Sequence, residues 1–212
     1  MRRPRVLLAD DHRMLREAFA RLLEPSCDVV GTVADGRDVL TMAPELKPDI
    51  VVLDIAMPLL NGLDAARQLK RTMPDVRIIV LTVNEDPDLA AEAFRAGASS
   101  YLLKNSAASE LLRAVEEAMC GRSYVTPLVT KGLVDALARG PAQANKKDLA
   151  SPRQREVLQL LAEGHTMKQI ARILKIKPRT VAFHKYGMMR QLGVKSTAEL
   201  VHFALKQRVV SE

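Results

Sequence analysis

Tryptophan is absent, and three tyrosines and four phenylalanines are the only aromatic residues in 212. Apolar residues still make up 48% of the chain, enough for proper cores, which must then be mainly aliphatic. Cysteine is as sparse. Cys27 and Cys120 are too few for a disulfide framework and read as ordinary thiols in a reducing cytoplasm. No apolar run approaches the roughly 20 residues needed to span a bilayer. Met1-Arg2-Arg3-Pro4 has the basic character of a secretion signal's start, but Asp10-Asp11 cut its apolar part short, which excludes a signal peptide. A cytoplasmic protein with no membrane partner is expected.

Charge is present and unevenly placed. Residues 1–122 hold 16 Lys and Arg against 19 Asp and Glu, a net of −3. Residues 123–147 carry 4 against 1, and residues 148–212 carry 12 against 5, so these segments stand at +3 and +7. The two ends of the chain face different partners, and the basic end points to nucleic acid.

The first half is organised around Pro48-Asp49-Ile50-Val51-Val52-Leu53-Asp54-Ile55-Ala56-Met57-Pro58. The continuous apolar run reads as a strand buried on both faces, as in a parallel sheet, and it ends on the carboxylate of Asp54. In open α/β sheets chemistry collects at the carboxyl ends of strands. A second strand, Arg5–Ala9, ends at Asp10-Asp11; a third, Val76–Leu81, ends at the hydroxyl of Thr82; a fourth, Ser99–Leu103, ends at Lys104. Three carboxylates at one edge repel unless a cation lies among them, and a hard divalent ion with oxygen ligands, such as magnesium, meets that need. With Val29–Val33 as a further strand, strands and helical stripes alternate five times, which predicts a parallel sheet covered on both faces.

The pair Asp10-Asp11, the D-x-x-M-P run from Asp54 to Pro58, Thr82, and Y-x-x-K from Tyr101 to Lys104 resemble the receiver domain of bacterial two-component response regulators. The resemblance implies a flavodoxin-like, doubly wound fold with a five-stranded parallel sheet over residues 1–122. It implies Asp54 as the phosphoacceptor, and Mg2+ held by Asp11, by Asp10 (directly or through water), by Asp54 and by the backbone carbonyl of Ala56. Thr82 and Lys104 would contact the phosphoryl group, and Tyr101 would turn inward as Thr82 shifts. Three positions depart from the pattern or leave it open. Asn105 stands where proline often follows the lysine, and Ala56 and Asn84 occupy the two positions that tune phosphate lifetime.

Gly121–Pro127 breaks the alternation. Leu128, Val129, Leu133, Val134 and Leu137 suggest one short amphipathic helix, and Gly140–Lys147 has linker composition. Residues 123–147 are thus read as a linker containing a short helix. From Ser151 the helical period dominates: Ser151-Pro152 starts a helix that Gly164 closes, Thr166 caps a second, and Pro178 starts a third. Helix, tight turn and helix with a basic leading edge form a helix-turn-helix layout. Ser151–Gly164, Ile170–Val181 and His184 resemble the LuxR-type DNA-binding domain, here residues 148–212, and with a receiver this implies the NarL/FixJ class. The third helix then enters the major groove. Its outward stripe is Arg179, Ala182, Phe183, Tyr186 and Arg190, with Lys185 beside it, while His184 is a structural histidine and no metal ligand. Gly187 interrupts this helix, and Lys177 stands where a capping serine is common.

The sequence thus reads as a response regulator and not a turnover enzyme. A histidine kinase phosphorylates Asp54, and the second domain binds promoter DNA as a homodimer, with RNA polymerase as a further candidate partner. An alternative is a phosphorylation-independent regulator whose receiver serves protein contacts. A haloacid-class phosphatase is disfavoured because Ala56 stands where a second aspartate is required.

Overall fold

The computed structural model describes residues 2–139 and 151–206, so the linker-like run Gly140–Lys147 lies outside the described residues. The chain divides into two compact units, Met1–Gly140 and Pro141–Glu212.

The first unit alternates β1 (Arg5–Ala9), α1 (Arg13–Leu23), β2 (Asp28–Val33), α2 (Gly36–Leu46), β3 (Ile50–Asp54), α3 (Gly62–Thr72), β4 (Arg77–Thr82), α4 (Pro87–Arg95), β5 (Ser100–Leu103) and α5 (Ala107–Met119). All pairings are parallel, in the order β2-β1-β3-β4-β5-β6, where β6 is the two-residue strand Tyr124–Val125. The sheet therefore has six strands and not the expected five. A two-residue strand is too short to carry an apolar pattern, and its pairing with β5 (Ser100↔Tyr124, Tyr101↔Val125) is set by tertiary contacts.

Each face of the sheet has its own core. Phe19 and Leu23 of α1 and Leu111, Ala114 and Ala118 of α5 cover one face; α2, α3 and α4 cover the other. Helix α6 (Pro127–Ala138), which the sequence reading assigns to a linker, adds Val129, Leu133 and Ala136 to this second core. Every residue of β3 is buried, which explains why its apolar run shows no alternation.

The second unit is helical: α7 (Pro152–Ala162), α8 (Met167–Ile173), α9 (Pro178–Leu192) and α10 (Thr197–Lys206). Ser151 with Gln154, and Thr166 with Gln169, form capping boxes that satisfy the free amides at the starts of α7 and α8. Gly164 leaves α7 at φ +83°, a conformation glycine adopts without penalty. Arg153 spans the motif, donating to Leu174 O at the end of α8 (2.9 Å) and pairing with Glu156 (2.6 Å).

Helix α9 runs unbroken through Gly187, so the glycine weakens this helix without interrupting it. A Cβ at Gly187 would have one neighbour, Gln154 Nε2, at 3.9 Å. Gly187→Ala therefore fits, and it should raise the thermal stability of the helical unit by about 0.5–1 kcal/mol, the cost of glycine inside a helix. A melt of the full chain that resolves this unit's transition checks the value.

Candidate functional site

The strand register brings four chain segments to one edge. Ala9 pairs with Leu53, Asp54 with Leu81, and Thr82 with Leu103, so Asp10, Asp54, Thr82 and Lys104 gather at the carboxyl ends of β1, β3, β4 and β5. Asp10 and Asp54 are buried, 4% and 2% exposed, while Asp11 remains exposed. The Lys104 ammonium lies between the buried pair, 2.7 Å from Asp10 Oδ2 and 2.8 Å from Asp54 Oδ2. Its approach to Asp10 is an ion pair without hydrogen-bond geometry, so that oxygen lacks a directed donor.

Local structure fixes each group. Asp10 Oδ1 accepts from His12 N (2.8 Å), and Asp54 Oδ1 accepts from Ala56 N (3.3 Å). The start of α3 presses against the backbone of Asp54. A Cβ at Gly62 would lie 2.0 Å from Asp54 O, and Gly62 N donates to Ile55 O at 2.9 Å. Only glycine permits this approach, so Gly62→Ala must move either α3 or the end of β3. Thr82 is 3% exposed; its Oγ1 accepts from Asn84 N (3.2 Å), and its carbonyl accepts from Lys104 N (2.7 Å).

Burial pushes the Asp54 carboxyl above its usual range, against the opposing pull of Lys104. Burial draws the Lys104 ammonium down, but Asp54 and Asp10 outweigh it and the net shift is upward. The carboxylates of Asp10, Asp11 and Asp54 and an imidazole nitrogen of His12 lie within 4.8 Å of one another, a group that could hold a metal ion. The three oxygen donors suit a hard cation, and Lys104 already supplies positive charge at two of them. His12 Nδ1 is 2.8 Å from Asp11 Oδ1. The sequence reading did not include His12 in this group, although it directly follows the acid pair.

Tyr101 lies wholly inside, and its hydroxyl donates to Asn84 O (2.8 Å). The Asn84 side chain is turned to α4, where its Oδ1 accepts from Asp86 N (2.8 Å).

In the second unit, Val181 and Met188 hold α9 to the core, and Arg179, Phe183, Tyr186 and Arg190 are exposed. Phe183 is 75% and Tyr186 53% exposed. Ala182 and Lys185 are half-buried, with Lys185 Nζ 5.5 Å from the centre of the Tyr186 ring. His184 is half-buried, and burial together with the nearby Arg153 charge keeps its pKa low. This is an apolar and cationic ridge on a helix, suited to a groove that offers phosphates and base edges.

The buried acid leads to a pH prediction. Below the ordinary aspartate value of about 3.9 both folded and unfolded chains hold Asp54 protonated, and its ionisation costs nothing. As pH rises, the raised folded value makes ionisation a penalty on the folded state. Asp54→Asn should thus raise the melting temperature of the receiver at pH 7, with the gain disappearing towards pH 4; melts across that range check it.

Residues 6–116 match the family model described as response regulator receiver domain, and residues 148–204 match bacterial regulatory proteins, luxR family. The oxygen regulatory protein NreC of Staphylococcus aureus is 35% identical, with 97% of this chain and 99% of NreC covered. Among solved structures, RcsB from Salmonella enterica serovar Typhimurium, bound to a promoter with a phosphomimetic, is 27% identical at a TM-score of 0.62, covering 97% of this chain and 100% of that one. A LuxR-family response regulator from Aurantimonas is 33% identical at a TM-score of 0.61 over 65% of this chain and 99% of its own. With its acidic strand-end pocket in one unit and its helix-turn-helix in the other, the chain belongs to the two-component response regulators of the NarL/FixJ class.

Proposed function

We propose that Asp54 is the phosphoacceptor through which a partner histidine kinase controls DNA binding by α9. The observation that carries this is the Lys104 ammonium held between Asp10 and Asp54, at 2.7 and 2.8 Å, in a pocket of strand ends. An Asp54 carboxylate oxygen attacks the phosphorus of the kinase phosphohistidine. The new P–O bond replaces the P–N bond, and the departing imidazole takes up a proton. Lys104 stands ready to neutralise the phosphoryl oxygens, and the Thr82 hydroxyl to donate to one of them. Asp10, Asp11, Asp54 and the carbonyl of Ala56 would hold Mg2+, which supplies charge neutralisation across the transferring group. Tyr101 is the switch side chain, tied to the β4–α4 loop through Asn84.

On DNA, Arg179, Lys185 and Arg190 reach phosphates or guanine edges, and Ala182, Phe183 and Tyr186 meet thymine methyls. RcsB is solved as dimers bound to DNA, which supports a homodimer as the active form of this chain. Of residues 123–147, which the sequence reading assigns to a linker, β6 and α6 pack on the receiver and complete that unit, and the reaction takes place in the cytoplasm. The acyl phosphate is hydrolysed by the chain itself, and Ala56 adds no polar side chain to hasten or slow that step.

Acetyl phosphate with Mg2+ should label the full chain with one phosphoryl group, and Asp54→Asn should abolish the label. Labelling of the variant at the wild-type level would overturn the assignment. For DNA, Arg190→Ala should flatten the plot of log K against log salt by about 0.9 for each phosphate that the arginine neutralises. An unchanged slope would show that Arg190 neutralises none.

A further inference from the structure

Thr126 is 4% exposed, and no step of phosphoryl transfer uses it. It stands between β6 and α6, and it fastens three elements. Its Oγ1 accepts from Leu103 N (3.1 Å) and donates to Glu110 Oε2 on α5 (2.6 Å). Its amide donates to Tyr101 O (3.0 Å). One residue thus holds β5 at Tyr101 and at Leu103, the residue before Lys104. The hydroxyl has one proton, given to Glu110, and its removal leaves the buried Leu103 amide without its acceptor.

Helix α6 begins one residue later and is seated on α4. Val129, Leu133 and Ala136 enter the same core as Tyr101, Ala90 and Ala93. A Cβ at Gly132 would lie 2.4 Å from Pro87 Cγ, so the helices meet closely because residue 132 has no side chain. Arg139 pairs with Asp88 (2.6 Å), and Arg95 reaches Ala136 O (3.4 Å), both at the C-terminal end of α6.

We propose that Thr126 is a positioning residue that joins the Lys104 end of β5 to α6, so that filling the Asp54 pocket tightens the seat of α6 on α4. This rests on the reading of Asp54 as the phosphoacceptor. Lys104 N is bonded to Thr82 O, and the Tyr101 hydroxyl to Asn84 O, so a shift of the Thr82 segment reaches β5 at Tyr101, which Thr126 holds, and at Lys104, the residue after its second contact, Leu103. A seated α6 adds Val129, Leu133 and Ala136 to the core that holds Tyr101, and a lifted α6 removes them from it. Coupling of this kind is reciprocal: whatever the filled pocket adds to the seat of α6, the seat returns to the pocket.

The test is amide exchange of residues 127–139 in the full chain, with and without beryllofluoride and Mg2+, together with the affinity for beryllofluoride. Wild type and Thr126→Ser should gain protection in α6 by about 5-fold or more on binding, the lower end of typical couplings. Thr126→Val should bind with the gain absent and the affinity reduced by the same factor. Gly132→Leu, which blocks the seat without touching Thr126, should do likewise and decides the matter if Thr126→Val does not fold. Unchanged α6 protection in wild type, or wild-type affinity in a Gly132→Leu chain whose α6 is no longer protected, overturns the proposal. A wild-type chain that binds no beryllofluoride and accepts no phosphoryl label overturns the Asp54 reading as well, and the two failures are thereby told apart.

Discussion

Two carboxylates buried side by side repel each other, and the receiver's geometry depends on the ammonium that sits between them. Lys104 reaches both Asp10 and Asp54 because β1, β3 and β5 end in register and because its own amide is bonded to Thr82 O. Separation of charge from water is costly unless paired, so none of the three strand ends can drift without exposing an uncompensated charge. The close packing of Gly62 on Asp54 O fixes the remaining side.

That frame was legible in the sequence because each reacting group ends an apolar run. Strand, acid and helix recur with a spacing that a parallel sheet converts into proximity, and the motifs from Asp54 to Pro58 and from Tyr101 to Lys104 added the family. The capping residues Ser151 and Thr166 were equally readable, since a capping box is a local pattern. What stayed hidden depends on tertiary contact. The strand Tyr124–Val125 has no period of its own, and α6 shows the same amphipathic residues whether it packs on α4 or lies free in a linker. Thr126 looks like an ordinary residue before a proline until Leu103 and Glu110 are placed beside it. The continuity of α9 through Gly187 is a further case, where packing at Val181 and Met188 overrides local preference.

The two units solve opposite electrostatic problems. The receiver gathers negative charge into a buried pocket and needs a cation there. The helical unit spreads positive charge over an exposed ridge and is suited to a polyanion. Two of its three phenylalanine and tyrosine side chains lie on that ridge: Phe183 and Tyr186 are exposed in a chain with few aromatics to spare. Arg153 serves a different purpose: it pairs with Glu156 within α7 and ties that helix to the end of α8 through Leu174 O.

The parallel sheet has a consequence for the chain as it is made. Strand β1 lies between β2 and β3, and β3 pairs with β4, so every ladder joins segments separated by a helix and no hairpin can form early. Topologies built on such distant pairings acquire structure slowly, whereas short helices joined by tight turns do so quickly. The last strand, β6, and the helix that follows it complete the receiver only after all other strands have emerged. The helical unit, although synthesised last, is made of local contacts and needs no partner strand. The receiver emerges first, however, and has the time in which the helical unit is made to close its sheet, so the control is in place before the DNA-binding unit exists.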